Sequence, residues 1–309
     1  MSVFASSGST FQPIIAEAVN EVSRQAFVGQ QILPVLPSSA KKGKYVKILA
    51  ANFDNDMSKP RSPGAAFAQM SQQYTSDSFE CLEYGLENAM DDLEVAEASS
   101  DVQLDIASIA ANALADNLMI GHELRVAAIL AAASFTSNNA TAVMSSVATA
   151  EPITDIQAAV LRLNGDGIFN NIKLIMEASL FQEMLQTTQL RNLINGSAWG
   201  PVWNDTGVAA VLGVSGVILC NTRYNSAASG AVGSRSKVWS DTSYYVAQVV
   251  GGPLSNGGIG RTMAYTPRGG LFTTETYRTE QPPASVVRVR MAVDELIVNA
   301  KAGQKIASA

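Results

Sequence analysis

Residues 93–133, LEVAEASSDVQLDIASIAANALADNLMIGHELRVAAILAAA, carry the strongest periodic pattern in the chain. Polar residues recur at helical spacing, apolar residues fill the opposite side, and no proline interrupts the run. At about 1.5 Å per residue, this pattern predicts a helix about 60 Å long, which exceeds the width of most globular domains. Gly121 is the position at which we expect this helix to bend or break.

A long polar segment precedes the helix. Residues 40–79 are rich in Gly, Pro, Ser and Gln, and two strand-like runs, 45–49 and 73–79, flank a Pro-Arg-Ser-Pro-Gly tip. This pattern predicts a two-stranded loop that is too long and too polar to lie inside a compact core. Because an isolated hairpin is only marginally stable in water, the loop needs a surface to rest on, and we expect a neighbouring copy of the chain to supply it.

The chain beyond the helix predicts a mixed α/β segment followed by strands. Helices are predicted at 153–163 and 207–212, and buried strands at 172–176 and 217–220. Further strands are predicted at 237–240, 244–249, 262–265, 271–278, 287–293 and 296–298, the last completing an antiparallel sheet. The chain is therefore assigned to the α+β class.

Charge is segregated along the sequence. Between Ser62 and Leu124 there are twelve acidic residues and no Lys or Arg, although the whole chain carries only -6. The preceding segment carries six basic residues against two acids, a net charge of +4. The two blocks are either separate solvated faces or the two halves of an interface between copies.

The interface hypothesis pairs the basic block of one copy with the acids of the next. Its basic residues are Lys41, Lys42, Lys44, Lys47, Lys59 and Arg61. Its acidic residues are Asp77, Glu80, Glu83, Glu87, Asp91, Asp92, Asp101 and Asp105. Since an exposed ion pair contributes only ~0.2–1 kcal/mol, such pairs would set the register of assembly more than its strength.

Searches for chemistry predict no catalytic residue, cofactor or metal site. The single histidine, His122, lies in a predicted helix without a nucleophile motif, and Cys81 and Cys220 stand far apart and are interpreted as buried thiols. The glycine-rich residues 251–260 lack the spacing of phosphate-binding loops and predict a flexible loop. No apolar run reaches the ~18 residues of a membrane helix, and net acidity argues against sequence-specific nucleic-acid binding.

Several strings, taken in order, resemble the Hong Kong 97-type major capsid proteins of tailed bacteriophages. Tyr84-Gly85-Leu86-Glu87 with Asp91-Asp92 resembles the passage from E-loop to spine helix in lambda-like and related families. GHELRVA at 121–127 resembles the end of that helix, and DELIV at 294–298 resembles the last P-domain strand. The resemblance covers roughly residues 20–300.

The resemblance implies a division of the chain and a function. The implied parts are an N-terminal arm at 1–39, an E-loop at 40–80, a P-domain with the spine helix at 81–150, an α/β A-domain at 151–260, and closing P-domain strands at 261–309. The implied function is non-enzymatic: a major capsid protein that self-assembles, as hexamers and pentamers, into an icosahedral head shell around double-stranded DNA.

Expected partners are a separate scaffolding protein, a portal and a decoration protein. The expected location is the virion, after assembly in the host cytoplasm and without any membrane. Two alternatives stay open: an encapsulin-like nanocompartment shell, and an acidic cytosolic α/β enzyme, which would form a small defined oligomer and leave the long loop unexplained.

Overall fold

The computed structural model describes residues 26–48, 60–67, 69, 71–93, 106–196, 205–227, 233–267, 269–281 and 283–307. The α-helices in these ranges are α1 Gly29–Ile32, α2 Ile106–Ala132, α3 Pro152–Gly165, α4 Ala178–Gln186, α5 Thr188–Gly196 and α6 Asp205–Leu212. The strands are β1 Val35–Ser38, β2 Lys42–Ile48, β3 Tyr74–Glu80, β4 Leu82–Asp91, β5 Thr136–Asn139, β6 Ile172–Glu177, β7 Gly216–Cys220, β8 Arg223–Asn225, β9 Arg235–Lys237, β10 Ser243–Gln248, β11 Gly260–Tyr265, β12 Thr273–Glu280, β13 Pro283–Ile297 and β14 Gly303–Ala307.

The first sheet is built around β13, the longest strand. β4 pairs with one edge of β13, while β11 and β12 pair with the other, and β1 pairs in parallel with β11. Val287, Val289, Met291 and Val293 alternate with more exposed residues, so one face of β13 is buried. The long helix α2 packs on that face, where its Leu118 joins the apolar cluster.

The second sheet has the order β5-β14-β10-β6-β7 and carries the larger core. β6 is buried along nearly its whole length, as expected for a strand covered on both faces. The apolar sides of α3, α4 and α6 contribute Ile156, Leu180 and Leu212 to this core. The α/β order predicted for this region is confirmed by the structure.

The predicted two-stranded loop is confirmed as the β2–β3 hairpin. Its register runs from Lys42 opposite Glu80 to Ile48 opposite Tyr74. At its base, Tyr45 and Phe79 are buried in an apolar cluster with Cys81 and Met263 of the first sheet. The hairpin is therefore anchored at one end only within the described part of the chain.

At the C-terminal end, the strand predicted at 287–293 is confirmed, but the separate final strand predicted at 296–298 is wrong. β13 continues to Ile297, because the alternation of burial persists through the half-buried Asp294 and the buried Glu295. The final strand is instead β14, which pairs with β10 and β5 in the second sheet. The chain thus returns to the second sheet after crossing the first.

The helix break predicted at Gly121 is wrong, and the glycine-rich loop contacts a buried arginine. α2 continues without interruption through Gly121, whose neighbours His122 and Glu123 are buried in tertiary contacts that outweigh the low helix propensity of glycine. The glycine-rich loop is folded around the buried Arg261 guanidinium, which donates to the backbone oxygens of Gly252 at 3.0 Å and Gly257 at 2.9 Å. Within the described residues, no helix is long and apolar enough to cross a membrane.

Candidate intersubunit surfaces and a buried polar junction

The β2–β3 hairpin has two chemically different faces. Tyr45 and Phe79 point to one face and are buried at the base. The opposite face carries three large apolar side chains, Val46, Ile48 and Tyr74, which are 62%, 62% and 70% exposed. Because a soluble monomer rarely exposes such a contiguous apolar patch, this face is a candidate interface.

The structure places two predicted interface lysines against acids of the same hairpin. Lys42 pairs with Glu80 at 2.5 Å, and Lys47 pairs with Asp77 at 3.0 Å. The bond from Lys47 lowers the pKa of the Asp77 carboxyl, and the amide of Ser78 adds to this effect. These pairs therefore stabilise the hairpin across its two strands.

The acids of β4 and the residue that follows it are met by arginines from the neighbouring strands. Glu83 pairs with Arg290 at 3.0 Å, and Glu87 pairs with Arg288 at 2.6 Å. Bonds from Tyr277 and Arg288 lower the pKa of Glu87. Asp92, just beyond β4, pairs with Arg278 of β12 at 2.5 Å. Sequence reasoning missed these partners, although the alternation of arginine with valine in residues 286–290 was a signal for a charged outer face.

The remaining predicted interface residues divide into three groups. Among the described residues, Lys41 and Lys44 have no ion-pair partner, and Arg61 lies 4.5 Å from the ring of Phe67. Asp91 accepts a hydrogen bond from the Leu93 amide at 2.8 Å. Lys59, Asp101 and Asp105 lie outside the described residues.

A buried carboxylate joins the N-terminal segment to α2 and the second sheet. Glu123 of α2 has no exposed surface and accepts hydrogen bonds from the Val28 amide at 2.7 Å and the Thr222 hydroxyl at 2.9 Å. Burial raises the pKa of Glu123, and these bonds partly offset that increase. This carboxylate thus fixes where the segment before α1 crosses the helix.

The neighbouring side chain, His122, joins α2 to the first sheet. Its Nε2 lies 3.3 Å from the Thr262 hydroxyl and 3.7 Å from the Glu295 carboxylate, and Arg125 donates to that carboxylate at 3.1 Å. Burial, together with the nearby Arg125 charge, lowers the pKa of His122 to about 4. The ring is therefore neutral in the folded chain near neutral pH. We name Glu123, His122 and their partners the polar junction.

The lowered pKa of His122 predicts acid sensitivity. In the unfolded chain this imidazole titrates near pH 6.5, so above that pH its titration does not lower the stability of the fold. As the pH falls from 6.5 toward about 4, the unfolded chain takes up the proton and the folded chain does not, so the free energy of unfolding decreases. By linkage the loss is about 3 kcal/mol in the free energy of unfolding. The side chain of His122→Gln cannot titrate. Between pH 6.5 and 4, we therefore expect the free energy of unfolding of this variant to fall by about 3 kcal/mol less than that of the parent. Urea unfolding of the unassembled chains measures this difference. Parallel pH profiles for the two chains would contradict this assignment.

Two open grooves lie on the described part of the chain. One, of about 280 Å³, lies between α2 and the second sheet, where Glu177 is held by Arg223 at 3.0 Å and Lys237 at 3.5 Å. Another, of about 190 Å³, lies on the first sheet beside Lys41 and Arg290. Within the described residues, no three His, Cys, Asp or Glu side chains are placed to hold a metal ion.

Comparison of the sequence with protein-family models and with curated protein sequences finds no match. Solved structures, however, match over nearly the whole chain. A phage-related protein from Bordetella bronchiseptica RB50 superposes with a TM-score of 0.69 at 16% identity, covering 96% of each chain. The capsid of the cyanophage P-SCSP1u superposes with a TM-score of 0.66 at 14% identity, covering 95% of this chain and 91% of that one. A virus-like particle from Pyrococcus furiosus gives 0.53 at 9% identity, covering 97% and 96%.

The chain has the Hong Kong 97-type capsid fold. The fold class predicted from the order of sequence patterns is confirmed. In the terms of this fold, we name the β2–β3 hairpin the E-loop and α2 the spine helix.

Proposed function

We propose that this chain is a major capsid protein whose copies assemble into the icosahedral head shell of a tailed phage. The proposal is supported by the fold, which matches the cyanophage capsid over more than nine-tenths of both chains. In a shell, each interface must repeat around closed rotation axes. The contacts between neighbouring copies within a hexamer or a pentamer meet that requirement.

The observation that carries the proposal is the outward apolar face of the E-loop. Val46, Ile48 and Tyr74 extend beyond the anchored base, where Tyr45 and Phe79 are already buried. A two-stranded hairpin gains little stability alone, and covering these side chains contributes ~1.5–3 kcal/mol for each one fully buried. In the proposed shell, a neighbouring subunit covers these three side chains.

The remaining roles follow from this proposal. The protein has a structural and non-enzymatic role, encloses double-stranded DNA without reading its sequence, and resides in the virion after assembly in the host cytoplasm. A scaffolding protein, a portal and a decoration protein are its proposed partners. In the proposed domain division, 1–39 is the arm, 40–80 the E-loop, 81–150 and 261–309 the P-domain and 151–260 the A-domain. Because β5 and β14 pair within the second sheet, we reassign these two strands to the A-domain.

Fewer residues remain available for the charged contacts that we propose between copies. Lys41 and Lys44 keep the role of approaching acids on the next copy, because Lys42 and Lys47 are engaged within their own hairpin. The carboxylates of Glu83, Glu87 and Asp92 already form ion pairs with arginines of their own chain. The other side of each carboxylate is the part that those lysines approach. Such pairs set register and salt sensitivity, whereas the apolar face supplies most of the contact energy.

An encapsulin-like nanocompartment is the alternative shell, and the comparisons, which include a virus-like particle from Pyrococcus furiosus, do not favour it. The higher TM-score with the cyanophage capsid, 0.66 against 0.53, supports the phage assignment instead. The two functions differ in the contents of the particle, since a phage head holds a genome and a nanocompartment holds a cargo protein.

Co-expression of the full chain with the other head genes of its genome tests the proposal. We expect fast-sedimenting shells that protect DNA of defined length from added nuclease. Shells that hold a cargo enzyme and no protected DNA would establish the nanocompartment. A stable small oligomer that forms no shell under any combination of partners would support the enzyme reading and overturn both shell functions.

A further inference from the structure

β4 is an edge strand with an unpaired outer side. Its ten residues pair with β13 in an unbroken register from Leu82 opposite Val293 to Asp91 opposite Ala284. Among the described residues, no strand pairs with its other edge. Such an edge presents a row of free N–H and C=O groups to any strand that approaches.

Two hydrogen bonds show which amides of β4 point outward. The Glu80 amide donates to the Asp294 side chain, on the edge of β13, at 2.8 Å. The next amide, of Cys81, donates to the Lys41 carbonyl beside β2 at 2.9 Å. Since successive amides of a strand point to opposite edges, odd-numbered amides face away from β13. The outward amides of β4 therefore include those of Glu83, Gly85, Glu87 and Ala89.

β4 has only part of the protection that is usual for an exposed edge. It contains no lysine and no proline, and Leu82 and Leu86 are 53% and 39% exposed on one of its faces. The acids Glu83 and Glu87 form ion pairs with arginines of the same sheet, so their charges are partly neutralised. Soluble proteins keep a long unprotected edge strand where something covers it, because it otherwise promotes aggregation.

We propose that β2 of a second copy adds to the outer edge of β4, so that the sheets of adjacent subunits are joined by backbone hydrogen bonds. This inference rests on the proposed shell function and specifies how the E-loop meets its neighbour. Charge favours this occupant, because β2 carries three lysines and no acid, and β4 carries three acids and no base. Lys44 of β2 has no ion-pair partner among the described residues, whereas Lys42 and Lys47 also pair within their own hairpin. The outer edge of β2 is also unpaired within the described residues.

The alternation of side chains supports the same occupant. On β2, Val46 and Ile48 share one face with Lys42 and Lys44, and Lys47 lies on the other. On β4, Leu82 and Leu86 share one face and the acids Glu83 and Glu87 lie on the other. Strand addition therefore brings Val46 and Ile48 beside Leu82 and Leu86 on one face of the joined sheet, and Lys47 beside the acids on the other.

Hydrogen exchange of the parent chain tests the geometry directly. In the unassembled chain we expect about half of the amides of residues 82–91 to be protected, since only the inward ones bond to β13. On assembly the outward amides of Glu83, Gly85, Glu87 and Ala89 gain protection, with exchange slowed at least tenfold. Unchanged exchange of these four amides in fully formed shells would overturn strand addition while leaving the shell function intact.

A proline variant with a matched control tests whether shell assembly requires strand addition at the outer edge of β4. Ala89→Pro removes an outward N–H and blocks the approach of a strand, whereas Ala89→Val keeps that N–H and suits a strand. We expect the valine variant to assemble normally and the proline variant to lose at least tenfold in shell yield with an unchanged circular dichroism spectrum. Normal assembly of both would contradict the proposal. If the proline variant fails to fold, the exchange experiment on the parent decides.

Discussion

The double variant Val46→Ser/Ile48→Ser is expected to form no shells while its subunits stay folded. Both side chains are mostly exposed in the single chain, so their loss has little effect on the free energy of unfolding. In an assembled shell the same two side chains are covered, and losing their burial costs about 1.5–3 kcal/mol each at every interface. Because each subunit makes this contact, the loss is repeated over the whole shell.

Sedimentation in a sucrose gradient, with thermal unfolding as the fold check, measures this effect. The matched control is Val46→Ile/Ile48→Val, which keeps an apolar face of similar volume and should assemble like the parent. Shells formed in normal yield by the serine variant would show that this face of the E-loop is not an interface.

Glu123→Ala is expected to lower the free energy of unfolding of the unassembled chain by about 3–5 kcal/mol. The substitution leaves the Val28 amide and the Thr222 hydroxyl buried without their acceptor, and it also opens a cavity beside α2. The segment that carries α1 would lose its attachment to the spine helix.

Glu123→Gln is the control for this variant, because its side-chain oxygen can accept both hydrogen bonds without a buried charge. We expect it to lie within about 1 kcal/mol of the parent. Urea unfolding of the three chains at neutral pH gives the comparison. Equal stabilities for the alanine and glutamine variants would mean that the polar junction does not hold the segment in place.

The sequence was most informative where structure is local. The E-loop followed from two strand-like runs around a Pro-Gly tip, and β6 and β7 followed from short apolar runs with strong β-formers. The spine helix followed from its period, although the described helix, Ile106–Ala132, spans about 40 Å against the predicted 60 Å. Residues 94–105 of that prediction lie outside the described residues.

Contacts between distant segments could not be predicted from the sequence. Glu123 meets Val28 across 95 residues, and the acids of β4 meet arginines about 200 residues away. Three of the twelve acids, Glu83, Glu87 and Asp92, are therefore paired with arginines of the first sheet, which the linear charge blocks could not show. β14 was missed for the same reason, since its partners β5 and β10 are set by the path of the chain through two sheets.

Electron cryomicroscopy of the particles formed by the full chain with its head partners would show whether copies assemble through the E-loop. We expect hexamers and pentamers in which each E-loop lies on an adjacent subunit, with Val46 and Ile48 covered by that subunit. A compact monomer, or an oligomer whose E-loop folds back on its own chain and leaves no contact between copies, would contradict the account.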